Sequence, residues 1–436
     1  MSRTFYPAEQ ATSDVRRVCI VTPAYISSTP RAVREADALA AAGYDVRVVS
    51  TQGALHDVRR FDVDITRAKP WRSDVFGWSR HDRRERWRHL RSGIRHRIAQ
   101  KLPRAALRVP GVAERAEGRV FPELTSLAAA ERADLYIAHY PAGLAAAWRA
   151  AQRHRSLLGY DVEDLYSEIS PPSANWSKTR ARVLEIETRY VHACVHLSAG
   201  ARPAAEWFAA RFGTAVPVVV HNCHSWSARA TIDGKTLDRR GEQLSLYWYS
   251  QTVGLDRGLQ DAIEAAGLIG PPVQIHVRGT ISDADRRTLL GIAKSCGIAD
   301  AIHFHDLVTP DALLSRAVEH DVGLALETPA SINRCLTVSN KILQYLTAGL
   351  AVAASDLPGQ RTVLQTCPAA GFLYRSGNVQ ALAAQLDVWA RNPQILARAK
   401  EAALEAARVQ WNLELETKKL VSAIDGLFDR RHGRVA

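Results

Sequence analysis

The 436-residue chain has no cysteine pair in C-x-x-C spacing and no G-x-G-x-x-G after its first strand pattern. It also lacks any uninterrupted apolar run of the about 18 residues that a membrane span needs. Each absence removes a class of function. Cys19, Cys194, Cys223, Cys296, Cys335 and Cys367 are scattered, four of them in or beside apolar runs, which suits reduced core thiols in a cytosol. The loop TPAYISSTPR (22–31) offers proline, serine and threonine where a dinucleotide site needs glycines, so a nicotinamide or flavin enzyme is disfavoured. The opening MSRTFYPAEQATSDVRR has no apolar core, so no secretory leader is expected, and the expected location is cytoplasmic. His221, Cys223 and His224 cluster in HNCH without a second ligand pair at zinc spacing, and no metal is expected. Asp283 and Asp285 have D-x-D spacing, but they open a polar helical stretch and read as N-terminal capping groups.

What is present is alternation. Short apolar strands recur at 17–22, 45–50, 134–139, 156–161, 193–198 and 217–222, then at 244–250, 273–279, 301–306, 321–327, 350–355 and 371–375. Amphipathic Ala- and Leu-rich stretches such as RAVREADALAAAG (31–43) lie between many of them. Continuous apolar strands separated by helices imply parallel sheets covered on both faces, and two such sets imply two doubly wound α/β domains. The expected divisions are a first domain over 1–224, a polar linker over 225–243, a second domain over 244–412 and a C-terminal helix over 413–436 that packs back across the boundary. Two facing domains of this kind place ligands in the cleft between them, at the carboxyl ends of the strands.

The formal charge of +12 is concentrated. From Arg72 to Arg108 there are eleven Arg and one Lys against Asp74, Asp82 and Glu85. This stretch lies in a basic insertion over 71–110 that also carries Trp71, Phe76, Trp78 and Trp87. An amphipathic helix bearing Trp and Arg suits an anionic bilayer; the bland alternative is a solvated face packed on its own domain. No aromatic-rich recognition module accompanies it, so no nucleic acid partner is expected.

Two loops have the character of anion sites. In LYWYSQTVGLDRGLQDAI (246–263) a strand ends at Ser250, Gly254 and Gly258 follow, and Arg257 stands where a helix opens. Backbone amides and a guanidinium at a helix start suit a diphosphate. In TVSNKILQYLTAGLAVAASDLPGQ (337–360), Ser339 or Asn340 can cap a helix, Lys341 adds a charge, Lys341 and Gln344 share a face, and Gly349 stops the helix before a buried strand. The plain alternative is a capped helix in an ordinary βαβ unit. In the first half, His139 ends a strand, where it can donate to a bound sugar or be satisfied internally. Asp161, Glu163 and Asp164 form an acidic loop that can orient hydroxyls or cap the next helix.

These motifs resemble the retaining glycosyltransferases of the GT-B fold, family 4. The resemblance covers most of residues 15–430 and rests on VCIVTPAY, READALAAAGYDVRVVS, ADLYIAHYP, VVVHN, VGLDRGLQDAI and, most specifically, SNKILQYLTAGLAVAASDLPGQ. It implies two Rossmann-like domains facing across a cleft, a nucleotide-sugar donor held mainly by the second and an acceptor held mainly by the first. It implies retention without a catalytic metal or cofactor, the donor's leaving phosphate deprotonating the acceptor. Carried over by position, Arg257 matches the residue that holds the donor diphosphate, His139 the one that contacts the donor sugar, and Tyr25 to Ser28, with Ser27, the flexible loop near donor and acceptor. Three positions depart: Gln251 stands where a second Arg is usual, and Leu336 and Gln344 stand where the family has a Glu-x7-Glu pair. Arg334 and Arg278 are candidate substitutes for the missing Arg, and Gln344 for the ribose contact, as a neutral group with weaker hydrogen bonds than a carboxylate.

The resulting expectation is a nucleotide-sugar glycosyltransferase. Its acceptor is a glycan or lipid-linked hydroxyl, and it is peripheral on the inner face of the plasma membrane, in surface polysaccharide or glycolipid synthesis. A non-catalytic subunit that kept the fold, and a nucleotide-sugar epimerase, are the alternatives.

Overall fold

The computed structural model describes residues 15–53, 56–171, 173–235 and 243–432. Most of the chain start read for a leader (1–14), residues 236–242 of the expected linker and the last four residues of the expected C-terminal helix lie outside the described residues.

The first set of apolar runs forms a seven-stranded sheet from β1 (Arg17–Val21), β2 (Asp45–Gln52), β3 (Arg72–Gly77), β4 (Leu135–His139), β5 (Leu157–Val162), β6 (His196–Ala199) and β7 (Val218–Val219), in the order β3-β2-β1-β4-β5-β6-β7. The second set forms a six-stranded sheet from β8 (Leu244–Val253), β9 (Val273–Ile281), β10 (Ile302–His305), β11 (Val322–Ala325), β12 (Ala351–Ser355) and β13 (Gly371–Tyr374), in the order β10-β9-β8-β11-β12-β13. β1 pairs in parallel with β2 and β4, and every pairing of the second sheet is parallel. Both sheets reverse direction beside their first strand, which is the doubly wound order.

Period-two burial explains why the runs are continuous. In β8, Leu246 and Trp248 enter one apolar layer while Tyr247, between them, enters the layer on the opposite face. Both faces are covered, so no polar alternation is left to see. Gly323 in β11 lets the helix Asn340–Ala348 lie close, because a Cβ there would collide with the Tyr345 ring.

β3 was not foreseen. It falls within the basic aromatic insertion, where a helix was the expectation, and is a half-exposed strand at the sheet edge. Its RSDVFG sequence carries charge because one side of an edge strand meets water. The helix of that insertion comes later, at Arg86–Lys101.

The chain divides into two compact units, Met1–Tyr160 with His192–Val195, and Asp161–Val191 with His196–Ala436. Within the second, the helix Leu413–His432 docks on residues 221–227. Buried Glu416 accepts from the His221 backbone N–H at 2.8 Å and from Lys419 Nζ at 2.6 Å, and Glu414 accepts from the N–H of Trp226 at 3.0 Å. Asp283 and Asp285 lie in the first turn of Asp283–Ser295, capped by Ser282.

Candidate functional site

The order of the second sheet reverses between β8 and β11, and the loops leaving those two strands define where a ligand would meet it. After β8 the chain passes Gly254, makes a short turn over Leu255–Arg257 and enters the helix Leu259–Leu268. Gly258 caps that helix at φ +73°, and a Cβ there would come within 3.0 Å of Leu326 Cβ. Glycine therefore serves twice: it supplies the left-handed conformation and lets the two loops touch.

The contact brings Arg257 to Glu327, two residues past β11. Arg257 NH1 donates to the Glu327 carboxylate at 3.2 and 3.4 Å. Lys341 Nζ donates to Glu327 Oε1 at 3.1 Å, and Ser339 Oγ to the same oxygen at 3.5 Å. Arg334 Nε stands 3.8 Å from Glu327 Oε2, while its NH2 donates to Asp256 Oδ2 at 2.8 Å. The Glu327 N–H in turn donates to Ser355 Oγ at 2.9 Å, fixing the carboxylate's backbone to β12. Glu327 is 4% exposed, yet Arg257 keeps about a third of its surface open, so the group is buried at its centre and accessible at its edge.

Ser339 is the N-cap of Asn340–Ala348 and accepts from the Lys341 N–H at 3.4 Å. Lys341 is buried, and its ammonium lies 5.1 Å from the centre of the Trp248 ring, within cation–π range. Burial pushes the Lys341 pKa down, with Glu327 resisting and Arg257 and Arg334 adding to the push. Burial pushes the Asp256 pKa up, but Arg334 and Arg257 outweigh it and hold the carboxyl below its ordinary value. Three cations face two carboxylates here, at the positive end of a helix.

Arg257, Arg334, Ser339 and Lys341 are thus brought together. Arg278 is not among them. It lies on β9, opposite His305, and donates to the Asp306 carbonyl at 2.8 Å. β8 runs three residues past Ser250, with a register shift between Tyr249 and Thr252, leaving Ser250 half-buried and Gln251 exposed. Exposed Asn340 accepts from Asn222 Nδ2 at 2.9 Å. Gln344 is 2% exposed, and its Oε1 is buried without a hydrogen-bond partner. Gln360 shows the same pattern: its Nε2 donates to the Ala325 carbonyl at 3.3 Å and its Oε1 is unpartnered.

The first-sheet candidates look different. His139 is not an open strand-end group: it is 1% exposed, and its Nε2 lies 2.7 Å from Glu35 Oε2 on the helix Pro30–Ala41. The next residue, Tyr140, holds φ 63° and ψ 154°, a conformation costly for any side chain, before Pro141 opens a helix. Tyr25 and Ser28 are exposed, and the Ser27 N–H is tied to Asp62 Oδ1 at 2.8 Å. Asp161 is buried and accepts from Ser198 Oγ at 2.6 Å; Glu163 is half-exposed, and Asp164 accepts from Asn333 Nδ2 at 2.9 Å.

Glu327 and Asp256 are the functional candidates that the motifs did not single out. The available signal for Glu327 was its position: an acid closing the apolar run DVGLALE (321–327).

No family model matches the chain, and no curated protein matches it. Solved structures do. Anabaena HepE, solved with UDP and glucose, superposes with a TM-score of 0.66 at 12% identity over 94% of this chain and 100% of its own. Sucrose-phosphate synthase from Thermosynechococcus elongatus gives 0.68 at 13% identity, covering 95% and 100%. WaaG, a glycosyltransferase of lipopolysaccharide biosynthesis, gives 0.54 at 14% identity, covering 93% and 98%. Together with the two parallel sheets, these likenesses show that the chain has the two-domain, Rossmann-like GT-B fold.

Proposed function

We propose that the chain is a glycosyltransferase that takes a nucleotide-sugar donor, with the diphosphate held by Arg257, Arg334, Lys341 and the amides at the start of Asn340–Ala348. One observation carries this reading: three cations converge on one point beside the reversal of the second sheet, at a capped helix start. Electrostatic stabilisation of a leaving diphosphate is what such a group supplies. The proposed reaction breaks the bond between the donor's anomeric carbon and phosphate oxygen. A bond to the acceptor oxygen forms on the same face, and the acceptor's proton passes to the departing phosphate. No metal has a role in this scheme. The first unit takes the acceptor, with Tyr25, Ser27 and Ser28 nearest it, and the acceptor is a glycan or lipid-linked hydroxyl at the cytoplasmic face of a membrane.

That one neighbour, HepE, was solved with UDP and with UDP-glucose makes these the first ligands to try. Thermal unfolding with each should show a rise in Tm that is lost in Arg257→Ala and Lys341→Ala. If no nucleotide or nucleotide sugar shifts the wild-type Tm, the donor site is wrong.

Two observations favour a second reading, a binding subunit without turnover. Leu336 and Gln344 supply no carboxylate, and His139 is covered. Ligand-induced stabilisation without nucleotide release, across a panel of acceptors, would select it. Release of an altered sugar nucleotide with no acceptor present would select an epimerase; a Listeria monocytogenes neighbour (TM-score 0.58, 13% identity, covering 95% and 97%) is described as a putative UDP-N-acetylglucosamine 2-epimerase.

A further inference from the structure

The helix Arg86–Lys101 turns an apolar stripe to solvent. Trp87, Leu90, Ile94 and Ile98 follow one another at spacings of three and four, and each is more than half exposed. The stripe lines a groove of about 430 Å³ that Leu102 and Val112 extend. The inward face of the same helix is small, with Ser92, Gly93 and Ala99 buried, so the helix rests on its own unit by its small side and leaves its large apolar side open.

The rim of the stripe is basic. Arg91, Arg97 and Lys101 are exposed beside it, Arg104 and Arg108 follow, and no acidic residue occurs between Arg86 and Pro110. Among the described residues Arg95 is answered by Glu123 at 2.6 Å, but Arg91 and Arg97 have no carboxylate within ion-pair range. Two classes of occupant fit poorly. A second copy packed stripe to stripe would bring the arginine rims together without acids to answer them. Nucleic acid would meet the arginines but find only Trp87 to stack on, because Leu90, Ile94 and Ile98 offer no flat face.

We propose that this surface docks the protein on an anionic lipid bilayer. The axis lies in the plane of the headgroups, Trp87, Leu90, Ile94 and Ile98 enter the acyl boundary, and Arg91, Arg97, Lys101 and Arg104 meet lipid phosphates. An exposed row of large apolar side chains with a cationic border suits a helix that lies on a membrane rather than across it. This deepens the proposed use of a membrane-side acceptor but does not depend on the donor site.

The test is sedimentation of the full chain with vesicles of phosphatidylcholine, alone or with about one-third phosphatidylglycerol. Binding is expected only to the anionic vesicles, falling about fivefold or more between 0.05 and 0.5 M salt as the screening length shortens. Ile94→Glu with Ile98→Glu should reduce the bound fraction about tenfold with little change in Tm, because both side chains are more than half exposed. Arg91→Gln with Arg97→Gln should weaken binding and flatten its salt dependence. The proposal fails if the wild type ignores anionic vesicles at low salt, binds neutral ones equally, or binds undiminished after the two glutamate substitutions. It also fails if the stripe proves to be the seam of a dimer that those substitutions split. Retention of any nucleotide-induced Tm shift in the Ile94→Glu, Ile98→Glu protein separates failure of the docking surface from failure of the donor site.

Discussion

The two sheets share one topology and differ in what stands at their reversal points. At the end of β4, His139 and Glu35 close on each other in a buried pair. At the end of β11, Glu327 collects Arg257, Lys341 and Arg334 and leaves the group open at its edge. The same strand order therefore yields a sealed contact in one place and a charged, reachable one in the other. The fold supplies the position, and the residues at the strand ends decide whether a site exists there.

The comparison can be broken most sharply at Arg257. Arg257→Ala should weaken binding of a nucleoside diphosphate by about 2–4 kcal/mol, read by calorimetry, and change Tm of the unliganded protein little, since the side chain is partly in water. The corresponding change in the first sheet, Glu35→Gln, should do the reverse. It should cost about 1–3 kcal/mol of stability in urea unfolding, by weakening a buried polar contact, and leave nucleotide affinity alone. Equal effects of both substitutions on affinity would erase the distinction between the two regions.

Gln344→Leu sharpens it further. The native Oε1 is a buried acceptor without a partner, so removing it should leave stability unchanged or raise it by up to about 1 kcal/mol. If a ribose hydroxyl satisfies that oxygen, the same variant should lose nucleotide affinity several-fold. The smallest effect expected is one of pH. His305 is pushed down to about 4, chiefly by burial and then by Arg278. Its folded pKa lies below the ordinary value of 6.5, so the unfolded chain binds more protons between the two. The stability from its neutral form is present above about pH 6.5 and is lost as pH falls toward 4. Urea midpoints at pH 7 and pH 5 should therefore differ more in the wild type than in His305→Asn.

Much of this was legible in the sequence because it rests on period and local chemistry. Among the described residues, twelve of the thirteen strands follow apolar runs, Ser339 and Gly349 bound their helix as their residue types dictate, and Asp283 and Asp285 sit in a first turn. β3 escaped because an edge strand carries charge. The side-chain roles were less legible, because burial of a polar group depends on what packs over it from far along the chain. Glu35 is over a hundred residues from His139, and nothing near either announces the other. Asp161 reads as an acidic loop residue, but it lies inside β5 and accepts from Ser198, 37 residues further on. Arg278 and Arg334 were equal candidates in one dimension, and only the path of β9 separates them. Glu327 closes an apolar run, where it reads as punctuation; three cations from three segments give it its meaning.

Glu327 also changes what occupancy of that place would mean. Arg257, Arg334 and Lys341 already have a counter-ion, so the unliganded protein does not hold three like charges against one another. An anion arriving there would exchange partners with the resident carboxylate instead of filling a vacancy. On its departure the carboxylate would take the cations back, so the residue that competes with such a ligand would also ease its release.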